Sequence, residues 1–249
     1  MPKQKAEVIV VDIGGTHIRF ARVKNNKIFD FIKKDTPKNK KDILKEIDEY
    51  IKKNINKNIN GIGISCAGVI ENNVIKISPN LPLKNVNLKK YLQPKFKKRF
   101  EIENDANCAG LAEARFGIKK KNFIVITLGT GIGGGIIINK KLYKGKSSAG
   151  EFGEMVINQG KSLEDQYKKL KNNKEKLADI LGQGISNLIS VLDPEEIVLT
   201  GGLKKNVKAN FLNNLKKEIG KYIPKNRIPK IAWSKIEHPS LIGASLLFD

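Results

Sequence analysis

Cysteine is scarce in this chain of 249 residues, where Cys66 and Cys108 are the only two. Two thiols cannot build a disulfide framework or a four-thiolate metal site. A chain of this length buries about 70–75% of its unfolded surface and needs no such staple. No apolar run approaches the roughly 18 residues that a membrane span requires. The opening MPKQKAEVIVVDIGG lacks the pattern of a secretory signal. We therefore expect a soluble, cytoplasmic protein with no membrane partner. Acidic residues are also few: 25 Asp and Glu stand against 47 Lys and Arg, a formal charge of +22. Such an excess suggests a polyanion partner, but its distribution weakens that idea. Lysines occur in nearly every segment and alternate with Ile or Leu at helical spacing, as on the solvated faces of amphipathic helices. The reading is a basic surface rather than a nucleic-acid site. Steering of an anionic small substrate is compatible with either.

What is present is a strand and glycine-turn design used twice. Glu7 to Asp12 is β-branched and ends at a Gly-Gly turn, so it reads as a buried strand. A second strand over Ile18 to Val23 and a third over Lys27 to Ile32 are joined by the hairpin turn Asn25-Asn26. Asp42 to Ile55 places Ile43, Ile47, Tyr50 and Ile51 on one helical face, and Asn60 to Ile64 is a strand running into Ser65-Cys66-Ala67-Gly68. The middle of the chain repeats the pattern with strands over Asn122 to Leu128 and Gly135 to Ile138 about a turn at Gly129 to Gly135. A long helix over Leu177 to Leu192 and a strand over Glu196 to Leu199 follow. Repetition suggests two lobes of related topology. With no Pro-, Gly- or Ser-rich linker between them, we expect the lobes to be closely coupled about a cleft.

The turns are candidate phosphate sites. In Asp12-Ile13-Gly14-Gly15-Thr16 the glycines let backbone N–H groups approach an anion, Thr16 offers a hydroxyl, and Asp12 is placed to hold a hydrated Mg²⁺. An ordinary hairpin turn with an Asp cap explains the same residues. Gly129 to Gly135 holds five glycines in seven residues. That costs folding entropy, and the freedom would be well used in wrapping a polyphosphate, with Thr130 and Gly131 at the turn. It is neither a Walker A loop nor a dinucleotide fingerprint. A third turn, Thr200-Gly201-Gly202, is placed to approach a nucleotide base or ribose.

Together these turns resemble the sugar-kinase, actin and Hsp70 ATPase superfamily, and within it the ROK family of sugar kinases and repressors. The resemblance rests on DIGGTHIRFA, GIGISCAG, SPNLPLKN, ENDANCAGLAEARFG, TLGTGIGGGI, GEFGE, IVLTGGL and SLIGAS, in that order. It implies a two-lobed α/β, actin-like (ribonuclease H-like) fold clamping ATP and Mg²⁺ in an interlobe cleft. The expected lobes are 1–112, with a closing helix 239–249 packed back on it, and 113–238. Family repressors carry an N-terminal helix-turn-helix; here the first strand begins by residue 7, so the DNA-binding half is expected to be absent. By the resemblance, Asp105 is the catalytic base, whereas the residues alone allow it to be the N-cap of a helix over Ala106 to Phe116. The resemblance also implies sugar contacts from Asn80, Asn104, the backbone at Gly68, Glu151 and Glu164.

Two departures from the family stand out. Glu154 occupies the place of the His in the motif E-x-G-H, and an ionised Glu can only accept where a His can donate. The cysteine-rich zinc segment is replaced by Asn158-Gln159-Gly160-Lys161-Ser162-Leu163-Glu164, so no structural zinc is expected. Glu151, Glu154 and Glu164 brought close together would repel unless a hydroxyl, a lysine or a shared proton intervenes. The expected activity is phosphoryl transfer from ATP to the 6-hydroxyl of glucose or a related hexose. A kinase for fructose, mannose or N-acetylmannosamine and a non-catalytic sugar sensor are the alternatives. Family members often form homodimers, though no segment here identifies an interface.

Overall fold

The computed structural model describes residues 7–158 and 160–248. The first six residues of the opening, Gln159 and Asp249, the last residue of the expected closing helix, lie outside that range. In chain order the elements are β1 (Glu7–Ile13), β2 (His17–Lys24), β3 (Lys27–Asp35), α1 (Lys40–Asn54), β4 (Ile59–Cys66), β5 (Val69–Glu71), β6 (Val74–Ile77), α2 (Leu88–Phe96), β7 (Arg99–Asn104) and α3 (Asp105–Ala112). There follow β8 (Phe123–Leu128), β9 (Ile132–Ile138), β10 (Lys141–Tyr143), β11 (Val156–Asn158), β12 (Lys161–Ser162), α4 (Leu163–Leu170) and α5 (Lys174–Leu192). The chain closes with β13 (Glu196–Thr200), α6 (Phe211–Ile219), β14 (Lys230–Trp233) and α7 (Pro239–Ser245). Contacts divide it into two compact units, one of 1–112, 146–148 and 238–249, the other of 113–145 and 149–237.

The first unit is built on a five-stranded sheet in the order β3-β2-β1-β4-β7. β1, β2 and β3 are antiparallel neighbours, while β1, β4 and β7 run parallel. β1 is buried from Val8 onward because its central place leaves neither face to water, which is why it reads as an unbroken β-branched run. β3, at the edge, is almost wholly exposed. The Asn25-Asn26 turn has positive φ at both residues (50° and 65°), the geometry a two-residue hairpin demands. In α1 the Asn39 side chain caps the Asp42 N–H, and Ile43, Ile47 and Ile51 enter the core.

The second unit repeats the topology with β10-β9-β8-β13-β14: an antiparallel trio, then parallel β8, β13 and β14. Each unit has its own apolar core, around Ile9, Phe20, Ile62 and Phe100 in the first and around Ile126, Leu181, Leu199 and Tyr167 in the second. A mixed α/β fold with the same sheet order in both halves is what the resemblance implied.

Two expectations need correction. The helix expected to run from Ala106 to Phe116 is α-helical only to Ala112; Glu113–Gly117 forms a π-turn, closed by the Ile118 N–H donating to the Glu113 carbonyl at 2.7 Å. The cause is buried Glu113, whose carboxylate accepts from Ser234 Oγ at 2.5 Å instead of facing solvent. The glycine stretch is likewise not one loop. Gly133, Gly134 and Gly135 belong to β9. A Cβ on Gly134 would lie 2.2 Å from the Phe152 ring, so this glycine is fixed by close packing. The turn proper is Gly129-Thr130-Gly131.

Candidate active site

Parallel strands deliver their carboxyl ends to one edge of a sheet, and in the first unit the register decides which side chains meet there. Asp12 pairs with Ser65 across β1 and β4, and Cys66 with Asn104 across β4 and β7. Asp12, only 5% exposed, accepts from Ser65 Oγ at 2.7 Å through Oδ1 and from the Arg19 guanidinium at 2.6 Å through Oδ2. Arg19 faces Asp12 because the β1–β2 hairpin pairs those two residues.

One residue beyond β7, Asp105 opens α3. Its Oδ1 accepts the Ala106 N–H at 2.9 Å. The helix is capped mainly by Asn104, whose Oδ1 accepts from Ala106 N at 2.8 Å and from Asn107 N at 3.1 Å. Asn104 Nδ2 donates to the Gly68 carbonyl at 3.0 Å, so the two expected sugar contacts are joined to each other and one amide N–H of Asn104 remains to offer. α7 closes on α3 at Gly243, where a Cβ would fall 1.7 Å from the Cys108 carbonyl oxygen. Ser240 Oγ on the same helix donates to the Asp105 carbonyl at 3.1 Å. The Asp105 backbone is thereby held from both directions, while its carboxylate takes backbone N–H bonds and none from a side chain among the described residues.

Burial pushes the Asp105 carboxyl up to about 6, helped by the Asp12 charge and opposed by the N–H groups of Ala106 and of Asp105 itself and by Arg19. The push comes mainly from desolvation, which a linear motif does not display. Burial also pushes up both thiols, Cys66 and Cys108, leaving them free and protonated.

Gly14 and Gly15 form the β1–β2 turn, tied by Gly14 N to the His17 carbonyl at 3.1 Å and by Thr36 Oγ1 to the Gly14 carbonyl at 2.6 Å. Thr16 at its tip is exposed. A Cβ on Gly15 would lie 2.8 Å from that of Asn80, so the phosphate-turn candidate and a sugar-contact candidate abut. Asn80 is exposed on the turn that follows β6. Gly68 has φ +123° with Ile77 O and Ser78 pressed against it, a place only glycine fills without strain.

In the second unit, Gly129-Thr130-Gly131 is braced by α4. The Gly129 carbonyl accepts from Tyr167 Oη at 3.1 Å and from Lys171 Nζ at 2.9 Å. Glu164 Oε2 accepts the Ile132 N–H at 2.9 Å, and its Oε1 pairs with Lys168 at 2.7 Å. A Cβ on Gly131 would sit 2.2 Å from that carboxylate, and one on Gly153 would sit 3.1 Å from it. Glu164 thus stands beside Gly153 in the loop that carries Glu151 and Glu154, with Lys168 paired to its other oxygen. Glu154 is exposed at the end of the 3₁₀ turn Phe152–Glu154, which Glu151 precedes. Gly201, at φ +104°, lies against the Leu128 carbonyl, 2.6 Å from where its Cβ would be; Gly202 faces open space.

The residues that sequence reasoning missed are mostly braces: Arg19, Ser65, Tyr167, Lys168 and Lys171. Arg19 was recoverable, because a hairpin about Gly14-Gly15 places it opposite Asp12. The α4 residues had no such signal. Among the described residues no cluster of three His, Cys, Asp or Glu stands close enough to hold a metal ion. Likewise no described helix is long and apolar enough to cross a membrane.

Known proteins match this arrangement. The chain is 31% identical over 275 aligned positions to an uncharacterised protein of Clostridium perfringens, with 92% of each covered. It is 35% identical to the glucokinase of Thermotoga maritima over 167 positions, 63% of this chain and 52% of that one. The crystal structure of a ROK family glucokinase from Streptomyces griseus in complex with glucose and AMPPNP superposes with a TM-score of 0.84, covering 97% of this chain and 98% of that one at 23% identity, a likeness of fold. The chain spans 92% of the Clostridium protein but only about half the length of the curated glucokinase and xylose repressor relatives it matches. The ROK family model matches residues 8–171, and with the paired sheets and the Asp12 and Asp105 edge described above it places the chain in the ROK family, with the actin-like ATPase fold.

Proposed function

We propose that this chain is an ATP-dependent hexose kinase, glucokinase-like, that moves the γ-phosphoryl group of ATP to the 6-hydroxyl of glucose or a related hexose. The observation that carries the reading is Asp105, a carboxylate at the carboxyl edge of a parallel sheet, raised to about 6 and bonded to no side chain among the described residues. In the reaction the sugar oxygen bonds to the γ-phosphorus and the bond to the bridging β–γ oxygen breaks. ADP departs, and the hydroxyl proton passes to the Asp105 carboxylate. A base with a pKa near 6 is largely ionised at neutral pH and needs to accept that proton only late, when the transfer has already acidified the hydroxyl.

Asn80, the free N–H of Asn104, the backbone at Gly68, and Glu151, Glu154 and Glu164 are assigned to the sugar hydroxyls, where amides and carboxylates form paired hydrogen bonds. Gly14, Gly15, Thr16, Thr130 and Gly131 are assigned to the ATP phosphates, and Gly201 and Gly202 to the base and ribose. Each Asp12 oxygen has one lone pair engaged and one left. That suits a hydrated Mg²⁺ arriving on the nucleotide, which needs a single carboxylate besides phosphate and water. When bound, the ion would supply charge neutralisation to the phosphates.

A second reading, a sugar sensor without turnover, is favoured by the similarity to xylose repressors. Coupled ADP release with glucose, fructose, mannose and N-acetylmannosamine separates the two. The kinase reading expects turnover, highest with glucose; saturable sugar binding with no ADP released would favour the sensor.

A further inference from the structure

At the opposite end of β7 from Asp105 lies a pocket of about 690 Å³. Its lining includes Lys89, Lys90, Lys97, Lys98 and Arg99 and not one acidic residue. Five residues of strand separate Arg99 from Asn104, about 17 Å at the usual rise, so the cationic end of this concavity lies at the amino edge of the sheet, away from Asp105, while its wall runs along β7 to Asn73. Its charge is largely uncompensated. Lys89 pairs with Glu101 at 3.2 Å and Arg99 lies over the Phe248 ring at 5.2 Å. Lys90, Lys97 and Lys98 have no carboxylate within ion-pairing distance among the described residues.

The amides in the wall add to the same polarity. Asn73 Oδ1 accepts the Ile102 N–H at 3.1 Å, and Asn87 Oδ1 accepts the Lys90 N–H at 2.8 Å. With each of these oxygens already turned to a backbone N–H, the group that both residues have wholly unengaged is the NH₂ donor. Asn72 and Gln93, the other amides of the wall, offer a donor and an acceptor each, so the pocket presents cations and N–H donors and no carboxylate. No aromatic ring lines it, so it lacks the stacking platform that single-stranded nucleic acids use. A flexible linear anion with several charged groups matches this wall better than a single phosphate, because the cations are spread along α2 and the start of β7.

We infer that this pocket is a binding site for an oligophosphate, a small anion with two or more linked phosphoryl groups and no base-stacking requirement. The probe is inorganic tripolyphosphate, titrated calorimetrically into the whole chain at about 0.1 M salt, where screening acts over about 10 Å and scattered surface charge contributes little. The variant Lys90→Gln/Lys97→Gln/Lys98→Gln keeps side-chain length and removes three charges. A control, Lys208→Gln/Lys216→Gln/Lys217→Gln, removes three exposed charges elsewhere. Circular dichroism checks that both fold; Lys98 is half-buried and the other five lysines are exposed, so the changes leave the core untouched. We expect tripolyphosphate to bind, orthophosphate to bind at least tenfold more weakly, and the pocket variant to lose at least tenfold in affinity while the control changes less than twofold.

The inference is overturned by absence of binding, by equal losses in the two variants, or by full affinity in the pocket variant, which would put the anion on the glycine turns. Orthophosphate binding as well as tripolyphosphate would also overturn it. So would a single-stranded oligonucleotide binding more tightly through the same lysines, since that would assign the surface to nucleic acid.

Discussion

The side-chain oxygen of Asn104 accepts the backbone N–H of Ala106 at 2.8 Å, so the helix that begins with Asp105 is capped chiefly by the residue before it. Capping and catalysis compete for Asp105 in the sequence; in the fold Asn104 takes most of the capping, which leaves Asp105 to the role proposed for it. We expect Asn104→Ala to cost about 1–2 kcal/mol of stability, the usual loss of a cap, and to lower kcat as the Asp105 backbone loosens. Asn104→Asp separates the two effects. It keeps the cap, loses the Nδ2 bond to Gly68, and sets a second negative charge beside Asp105. Thermal melting should then show a loss of stability from the carboxylate oxygen facing the Gly68 carbonyl, while the acid limb of the rate profile moves to higher pH, a shift that Asn104→Ala should not produce.

The pH dependence has a definite sign. Asp105 must be ionised to take a proton, so kcat/KM should fall as pH drops through about 6. For stability the direction is opposite. A carboxyl whose folded pKa exceeds its unfolded value of about 3.9 binds more protons when folded, so its contribution to stability is lost as pH rises from about 4 to 6. Arg19 opposes the rise at Asp105 and also holds Asp12. Arg19→Gln should therefore shift the acid limb above 6. It should also destabilise the fold by about 1–3 kcal/mol, since buried Asp12 loses a charged partner. An unshifted limb would mean that Asp105 does not set it.

Gly131 and Glu164 are coupled by space. Alanine at 131 would press its Cβ on the Glu164 carboxylate, which the Ile132 N–H and Lys168 hold in place. We expect Gly131→Ala and Glu164→Ala each to cost about 1–3 kcal/mol. The double variant should be less destabilised than their sum, by 0.5 kcal/mol or more, as residues in contact behave. Denaturant melts of the four proteins measure this, and strict additivity would contradict the placement of Glu164.

Much of the fold is legible in one dimension because strand burial follows position in the sheet. The continuous apolar run of β1 and the positive-φ Asn25-Asn26 hairpin announce themselves. The π-turn at Glu113 does not, since it depends on Ser234, 121 residues away. The glycines of β9 misled for a related reason. Gly134 is small to admit Phe152, a tertiary demand that looks in sequence like loop flexibility. At the candidate site the motif residues were visible. Their braces on α4, and the desolvation that raises Asp105, exist only once the chain is folded.

The central claim is that Asp105 takes the sugar proton, and Asp105→Asn tests it most directly. Asparagine can still accept the Ala106 N–H and relieves the burial of a charge. The variant should therefore be as stable as wild type or more so at neutral pH, as is common when a strained catalytic group is removed. In coupled ADP release with glucose we expect its kcat to fall by about 10²–10⁴-fold, with sugar binding retained. A folded Asp105→Asn protein that releases ADP at the wild-type rate would contradict the account.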